Sequence, residues 1–167
     1  MKFSVIYDSR TGNTKQAAEW IAEGMNRLEG AEARCFSVHD VDAEFVKASK
    51  GIVIGSPSYY ALMSGDMRTW LLEGAPKLEF GGKLGGAFAT AQFTHGGGDL
   101  VIQQILTNLI TIGMLVYSGG GACGDPCIHL GPVGVNHNIE KAHLEDFKDN
   151  FEIFGERFAR KAMEIFK

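Results

Sequence analysis

No stretch of this sequence reaches the length of a membrane-spanning segment, and no run of Lys and Arg marks a nucleic-acid or anionic-lipid surface. The 16 basic and 20 acidic residues leave a formal charge of −4, so neither nucleic acid nor membrane is expected as a partner. The opening residues 1–7 are too few, and too soon followed by polar ones, for a secretory signal. Cysteine is scarce: three residues leave at least one unpaired, which fits a reducing compartment, and a cytoplasmic location is expected. Cys123 and Cys127 lie four positions apart, one too many for a C-x-x-C redox motif. No His/Cys set at zinc spacing surrounds them, so no metal is expected. Two nucleotide signatures are also missing. There is no G-x-x-x-x-G-K-(S/T), which argues against a nucleotide-hydrolysing P-loop, and no G-x-G-x-x-G after the first strand, which argues against a dinucleotide site. Gly55-Ser56 stand where a phospho-acceptor receiver would need an aspartate. Neither internal repeats nor a linker interrupts the chain, and residues 1–167, 45 % apolar, read as one domain.

What is present is an alternation of short apolar runs with helical periodicity. Residues 2–7 predict a central strand, followed by a helix over 13–28 with Ala17, Ile21, Met25 and Leu28 on one face. A charged edge strand is expected at 31–38 and a short helix at 40–49. The run Gly51-Ile52-Val53-Ile54-Gly55 predicts a buried third strand ending in a loop held by Pro57, with Ser64 capping a helix to residue 72. Residues 81–86 read as a turn-rich lead-in to a fourth strand at 87–90, and a helix over 99–112 stops at Gly113. A fifth strand is expected at 114–117. Residues 118–136 have no periodicity, and a final helix over 138–166 carries the stripe Phe147, Phe151, Phe154, Phe158, Ala162 and Ile165. Five strands alternating with helices predict an α/β fold, with an open parallel sheet covered on both faces.

The most informative stretch is Asp8-Ser9-Arg10-Thr11-Gly12-Asn13-Thr14, where the first strand hands over to its helix. Capping accounts for one polar residue there, not six in a row. Hydroxyls, free backbone N–H groups and the positive end of a helix dipole together suit a phosphate. Ser9 to Thr14 resembles the (S/T)-x-T-G-N-T phosphate loop of flavodoxin-like FMN proteins. Met67-Arg68-Thr69-Trp70-Leu71 resembles the M-(R/K)-x-(W/F)-(L/I) helix of flavodoxin-like reductases. Residues 90–99, with Gly96-Gly97-Gly98, resemble the glycine-rich loop of NAD(P)H:quinone oxidoreductases of the WrbA type.

The resemblance implies a flavodoxin-like three-layer α/β/α domain with strand order 2-1-3-4-5, and FMN as cofactor. In that order the loops after strands one, three and four open at one edge. There Ser9, Arg10, Thr11, Gly12, Asn13 and Thr14 are expected at the phosphate. Pro57, Ser58, Tyr59 and Tyr60, with Thr90, Ala91, Gln92, Phe93 and Gly97, are expected around the flavin ring. His95 is the candidate catalytic donor to a reduced flavin or a quinone oxygen. The low net charge and the few acids in these loops favour an NAD(P)H-dependent FMN oxidoreductase passing electrons to a quinone-like acceptor, of the WrbA or NADPH-dependent FMN reductase type. The alternative is a flavodoxin carrying single electrons between redox proteins. Open glycine-rich loops on one side also raise a homo-oligomer as an expectation.

Overall fold

A computed structural model describes all residues from Met1 to Lys167. Strand β1 (Lys2–Tyr7) pairs in parallel with β2 (Glu32–Ser37) on one side and with β3 (Gly51–Tyr59) on the other; β3 pairs in parallel with β5 (Leu84–Ala91). Between β3 and β5 the chain makes a two-residue strand, β4 (Leu62–Met63), and helix α3 (Gly65–Glu73). Side chains alternate between the two faces with period two. Phe3, Val5, Val53 and Phe88 join a core with α1 (Asn13–Asn26) and α5 (Lys148–Ile165). Ile6, Ile52, Ile54, Ala87 and Ala89 join a second core with α3 and α4 (Gly98–Thr111). The central strands are therefore apolar on both sides, which is why they read as continuous runs. No helix is long and apolar enough to cross a membrane.

The sheet follows the expected order, with one alteration. The fifth strand is split: β6 (Leu115–Val116) pairs with the start of β5, and β7 (Val133–Val135) pairs with its end at Ala89–Ala91. Residues 117–132 lie between the two halves. Three residues flanked by Pro132 and Asn136 are too few to show a period, which is why β7 was not expected.

Strand β3 also runs four residues beyond Gly55. The Gly55 carbonyl accepts from the Asp8 N–H, so the odd-numbered residues of β3 turn their backbone groups toward β1. That strand has ended by Pro57, whose missing N–H removes no ladder bond. β3 then folds back on β4 (Ser58↔Met63, Tyr59↔Leu62) through Tyr60 and Ala61, both at positive φ (53° and 63°). Two non-glycine residues in that region make a strained turn.

Helix α2 (Ala43–Ala48) is capped by Asp42, and α3 by Ser64 as expected. The last helix starts at Lys148, ten residues later than the expected 138 and next to the first residue of its apolar stripe, Phe147. Residues 137–142 form a small bridge, and a single tight turn at Leu144–Phe147 precedes the helix. Phe151, Phe154 and Phe158 are fully buried, whereas Ile165 is exposed.

Helices α1 and α5 pack backbone to backbone at two glycines, and Arg27 Nη2 donates to Glu152 Oε2 at 2.5 Å beside that contact. Burial acts to raise the Glu152 carboxyl, but Arg27 and Lys148 outweigh it and hold it below the ordinary range.

The three thiols differ sharply. Burial pushes the Cys35 thiol up to about 12, and its Sγ donates to the Ala18 carbonyl at 3.3 Å. Cys123 and Cys127 are exposed. Since the thiolate is the reactive form, a thiol-disulfide indicator at neutral pH should titrate two cysteines per chain quickly and the third only after denaturation. Three fast thiols would contradict this placement of Cys35.

Candidate functional site

The loops after β1, β3 and β5 meet at one edge of the sheet. They enclose a cleft of about 360 Å³ lined by Arg10, Thr11, Asn13 and Thr14 from the first, Pro57, Ser58 and Tyr59 from the second, and Thr90, Ala91 and Gln92 from the third. A hollow of about 520 Å³ adjoins it, sharing Ser58, Tyr59 and Gln92, and is lined further by Tyr60, Phe93, His95 and Gly97. Ser9 and Gly12 line neither space; the Ser9 Oγ accepts from the Gly12 N–H at 3.1 Å and so shapes the loop.

The local chemistry of the first cleft follows from how α1 begins. Its N-cap residue is Gly12, at φ 95°, and no side chain caps the helix. A Cβ there would meet nothing within 4 Å, so glycine answers the left-handed backbone and not crowding. Helix α4 begins in the same way, at Gly97 with φ 80°, again without a side-chain cap. The helices that begin beside the cleft and its adjoining hollow thus keep the N–H groups of their first turn, after the cap residue, free of side-chain acceptors, whereas α2 and α3 do not.

Hydrogen bonds tie the three loops into one frame. The Thr14 and Thr90 hydroxyls lie 2.8 Å apart and are buried. Ser58 Oγ donates to the Gly96 carbonyl at 2.6 Å, and Asn136 Nδ2 donates to Asn13 Oδ1 at 3.1 Å. Asn136 also lines the cleft, a residue that sequence reasoning missed because it follows the unrecognised β7. The Arg10 guanidinium lies over the Tyr59 ring at 5.5 Å, which aligns it along the cleft wall. Tyr60 is fully exposed, and Phe93 rests against His137 with ring centroids 4.3 Å apart. Glu140 accepts from both the Thr94 N–H (2.7 Å) and its hydroxyl (2.9 Å); the backbone bond first, then the hydroxyl, hold the Glu140 carboxyl below its usual range. His95 is exposed, and no hydrogen bond or ion pair orients it.

A flavin mononucleotide fits this donor set. An uncapped helix start with threonine and asparagine side chains and a nearby guanidinium suits a phosphate monoester. The adjoining hollow, walled by tyrosine and a glycine-rich loop, suits a flat ring with a polar rim.

Comparison with known proteins is consistent with that reading. A family model described as Flavodoxin matches residues 5–81. The chain is 43 % identical over 166 residues to a flavodoxin of Clostridium saccharobutylicum, covering 99 % of this chain and all of that one. It is 27 % identical over 146 residues to an NAD(P)H dehydrogenase (quinone) of Chromohalobacter salexigens, with 73 % of each chain covered. Among solved structures, a flavodoxin from the domain Archaea superposes with a TM-score of 0.75 at 24 % identity, over 98 % of this chain and 99 % of that one. The end-to-end match in sequence, on a sheet of the expected order, places the chain in the flavodoxin family of FMN-binding electron-transfer proteins.

Proposed function

We propose that this protein is a flavodoxin in the strict sense, carrying single electrons between redox proteins. This reverses the order of the sequence reading, which put the NAD(P)H oxidoreductase first. The observation that carries the proposal is the full-length 43 % identity to a flavodoxin, set against a weaker and partial relation to a quinone dehydrogenase. The site is in keeping with it. A carrier needs grip on FMN and a face for partners, and no positioned acid or base. The unheld His95 is therefore a bystander, and Tyr60, Phe93 and Leu100 form an exposed apolar rim on which a partner protein docks.

In this reading the helix start at Gly12–Thr14, with Thr11 and Arg10, holds the phosphate. Ser58 keeps the Gly96 loop in place, and Tyr59 with the Gln92–Gly97 loop bounds the ring. When bound, FMN supplies the electron-accepting chemistry; the protein's part is orientation and exclusion of water.

Stopped-flow mixing with NADH and NADPH separates the two readings. The carrier leaves the yellow absorbance unchanged over seconds with either nucleotide and loses it when a catalytic amount of a flavodoxin reductase is added. Rapid bleaching by either nucleotide alone, slowed in His95→Ala at saturating nucleotide, would return the assignment to the oxidoreductase.

A further inference from the structure

Asp8 is the residue that neither the fold nor the phosphate site accounts for. It follows β1 directly, one position before Ser9 opens the phosphate loop, and its side chain is 3 % exposed. Its Oδ2 has no hydrogen-bond partner, which is costly for a buried carboxylate. The groups that face it come from two other elements. His39, in the turn after β2, brings Nε2 to 4.0 Å from Asp8 Oδ1. Asp66, in the first turn of α3, has Oδ2 at 3.7 Å from the same nitrogen. One ligand atom from each of the three lies within 4.8 Å of the others, and a hollow of about 370 Å³ lined by His39 and Asp66 opens beside them.

We propose that Asp8, His39 and Asp66 form a binding site for a first-row divalent transition-metal ion, represented by zinc. Neither carboxylate comes within hydrogen-bond distance of the His39 ring, so no contact within the chain satisfies Asp8 Oδ2. An ion bonded at about 2.0–2.2 Å to each ligand needs ligand atoms roughly 3.4 Å apart. His39 and Asp66, with side chains 66 % and 48 % exposed, are free to close the remaining gap by rotation while buried Asp8 stays fixed. One imidazole with two carboxylates selects this class of ion over calcium or magnesium. Three protein ligands leave a coordination position open toward the hollow. The ion ties together the ends of β1, the β2 turn and α3, and it compensates the Asp8 charge beside the phosphate loop. Positions 8, 39 and 66 are too far apart in the chain to stand out by spacing, so the sequence reading expected no metal. The site rests on these residues alone and not on the FMN assignment.

The test is calorimetric titration of zinc chloride into FMN-loaded protein carrying Cys123→Ser and Cys127→Ser. Those replacements are needed because the exposed Cys127 Sγ lies 3.3 Å from His129 Nε2, a pair that itself attracts zinc. One ion per chain is expected, bound more tightly than millimolar. His39→Gln and Asp66→Asn, both at exposed positions, should each weaken it about tenfold or more without altering the thermal midpoint in metal-free buffer. The flavin-free chain should bind with the same stoichiometry. Absence of binding, binding that both variants leave unchanged, or binding confined to the FMN-loaded form would each overturn the proposal, the last by assigning the ion to the cofactor's own phosphate.

Discussion

Gly155→Ala is expected to destabilise the protein by about 3 kcal/mol or more, among the largest effects of any single methyl group in this chain. A Cβ at Gly155 would sit 2.1 Å from the Ile21 carbonyl oxygen of α1, and one at Gly24 would sit 1.9 Å from the Glu152 carbonyl oxygen of α5. The two contacts are reciprocal, each helix presenting its glycine to the other's backbone. Neither obstacle is a flexible side-chain end, so relief requires the helices to move apart. Separation would loosen the layer holding Ile21, Phe151, Phe154 and Phe158, and it would lengthen the Arg27–Glu152 ion pair. Denaturant unfolding of the flavin-free protein measures this without the added stability of a bound ligand. The thermal midpoint should fall by about 6–12 °C. Gly65→Ala is the matched control: it opens α3, has no positive φ, and its Cβ would meet nothing within 4 Å. It should change stability by no more than about 0.5 kcal/mol. Equal effects in the two variants would mean that α1 and α5 are not packed as described.

These close contacts also mark the limit of what the sequence discloses. The stripe of Phe151, Phe154 and Phe158 locates the buried face of α5 because apolar periodicity is a local property. That Gly24 and Gly155 face a neighbouring backbone is a property of two distant segments at once, and nothing in either segment announces it. The same distinction separates the parts of the site. Ser9 to Thr14 is legible because one contiguous stretch supplies hydroxyls, a left-handed glycine and the helix start. Gln92 and Tyr59 follow once the strand order brings their loops to the same edge. Asn136 was not legible, since its place depends on the three-residue β7, too short to carry a pattern. The extension of β3 through Pro57 was hidden for a related reason: proline reads as a strand breaker unless it is known that the neighbouring strand has already stopped. Residues 138–147 misled in the other direction. They carry helix-compatible residues but no apolar stripe continuing that of Phe147, Phe151 and Phe154, and Ile139 is 87 % exposed.

Thr11→Ala and Thr14→Ala are expected to weaken FMN binding by about 10- to 150-fold each, the equivalent of roughly 1.5–3 kcal/mol for one hydrogen bond to a charged phosphate. The two positions differ in everything else. Thr11 is exposed at the mouth of the cleft, so its loss should leave the stability of the flavin-free protein within about 0.5 kcal/mol of wild type. Thr14 is buried, and its hydroxyl lies 2.8 Å from that of Thr90. Thr14→Ala therefore also strands the Thr90 hydroxyl, and the flavin-free protein should lose about 1–3 kcal/mol. Titration with FMN, followed by quenching of flavin fluorescence, gives the Kd. Repeating it with riboflavin, which shares the ring and lacks the phosphate, isolates the contact in question. Thr11→Ala should bind riboflavin as the wild type does, since the ring meets the Tyr59 and Gln92–Gly97 walls in both. A variant that loses affinity equally for both flavins would mean that Thr11 acts on the ring or on the fold of the loop. Wild-type FMN affinity in both variants would move the phosphate away from the start of α1 altogether.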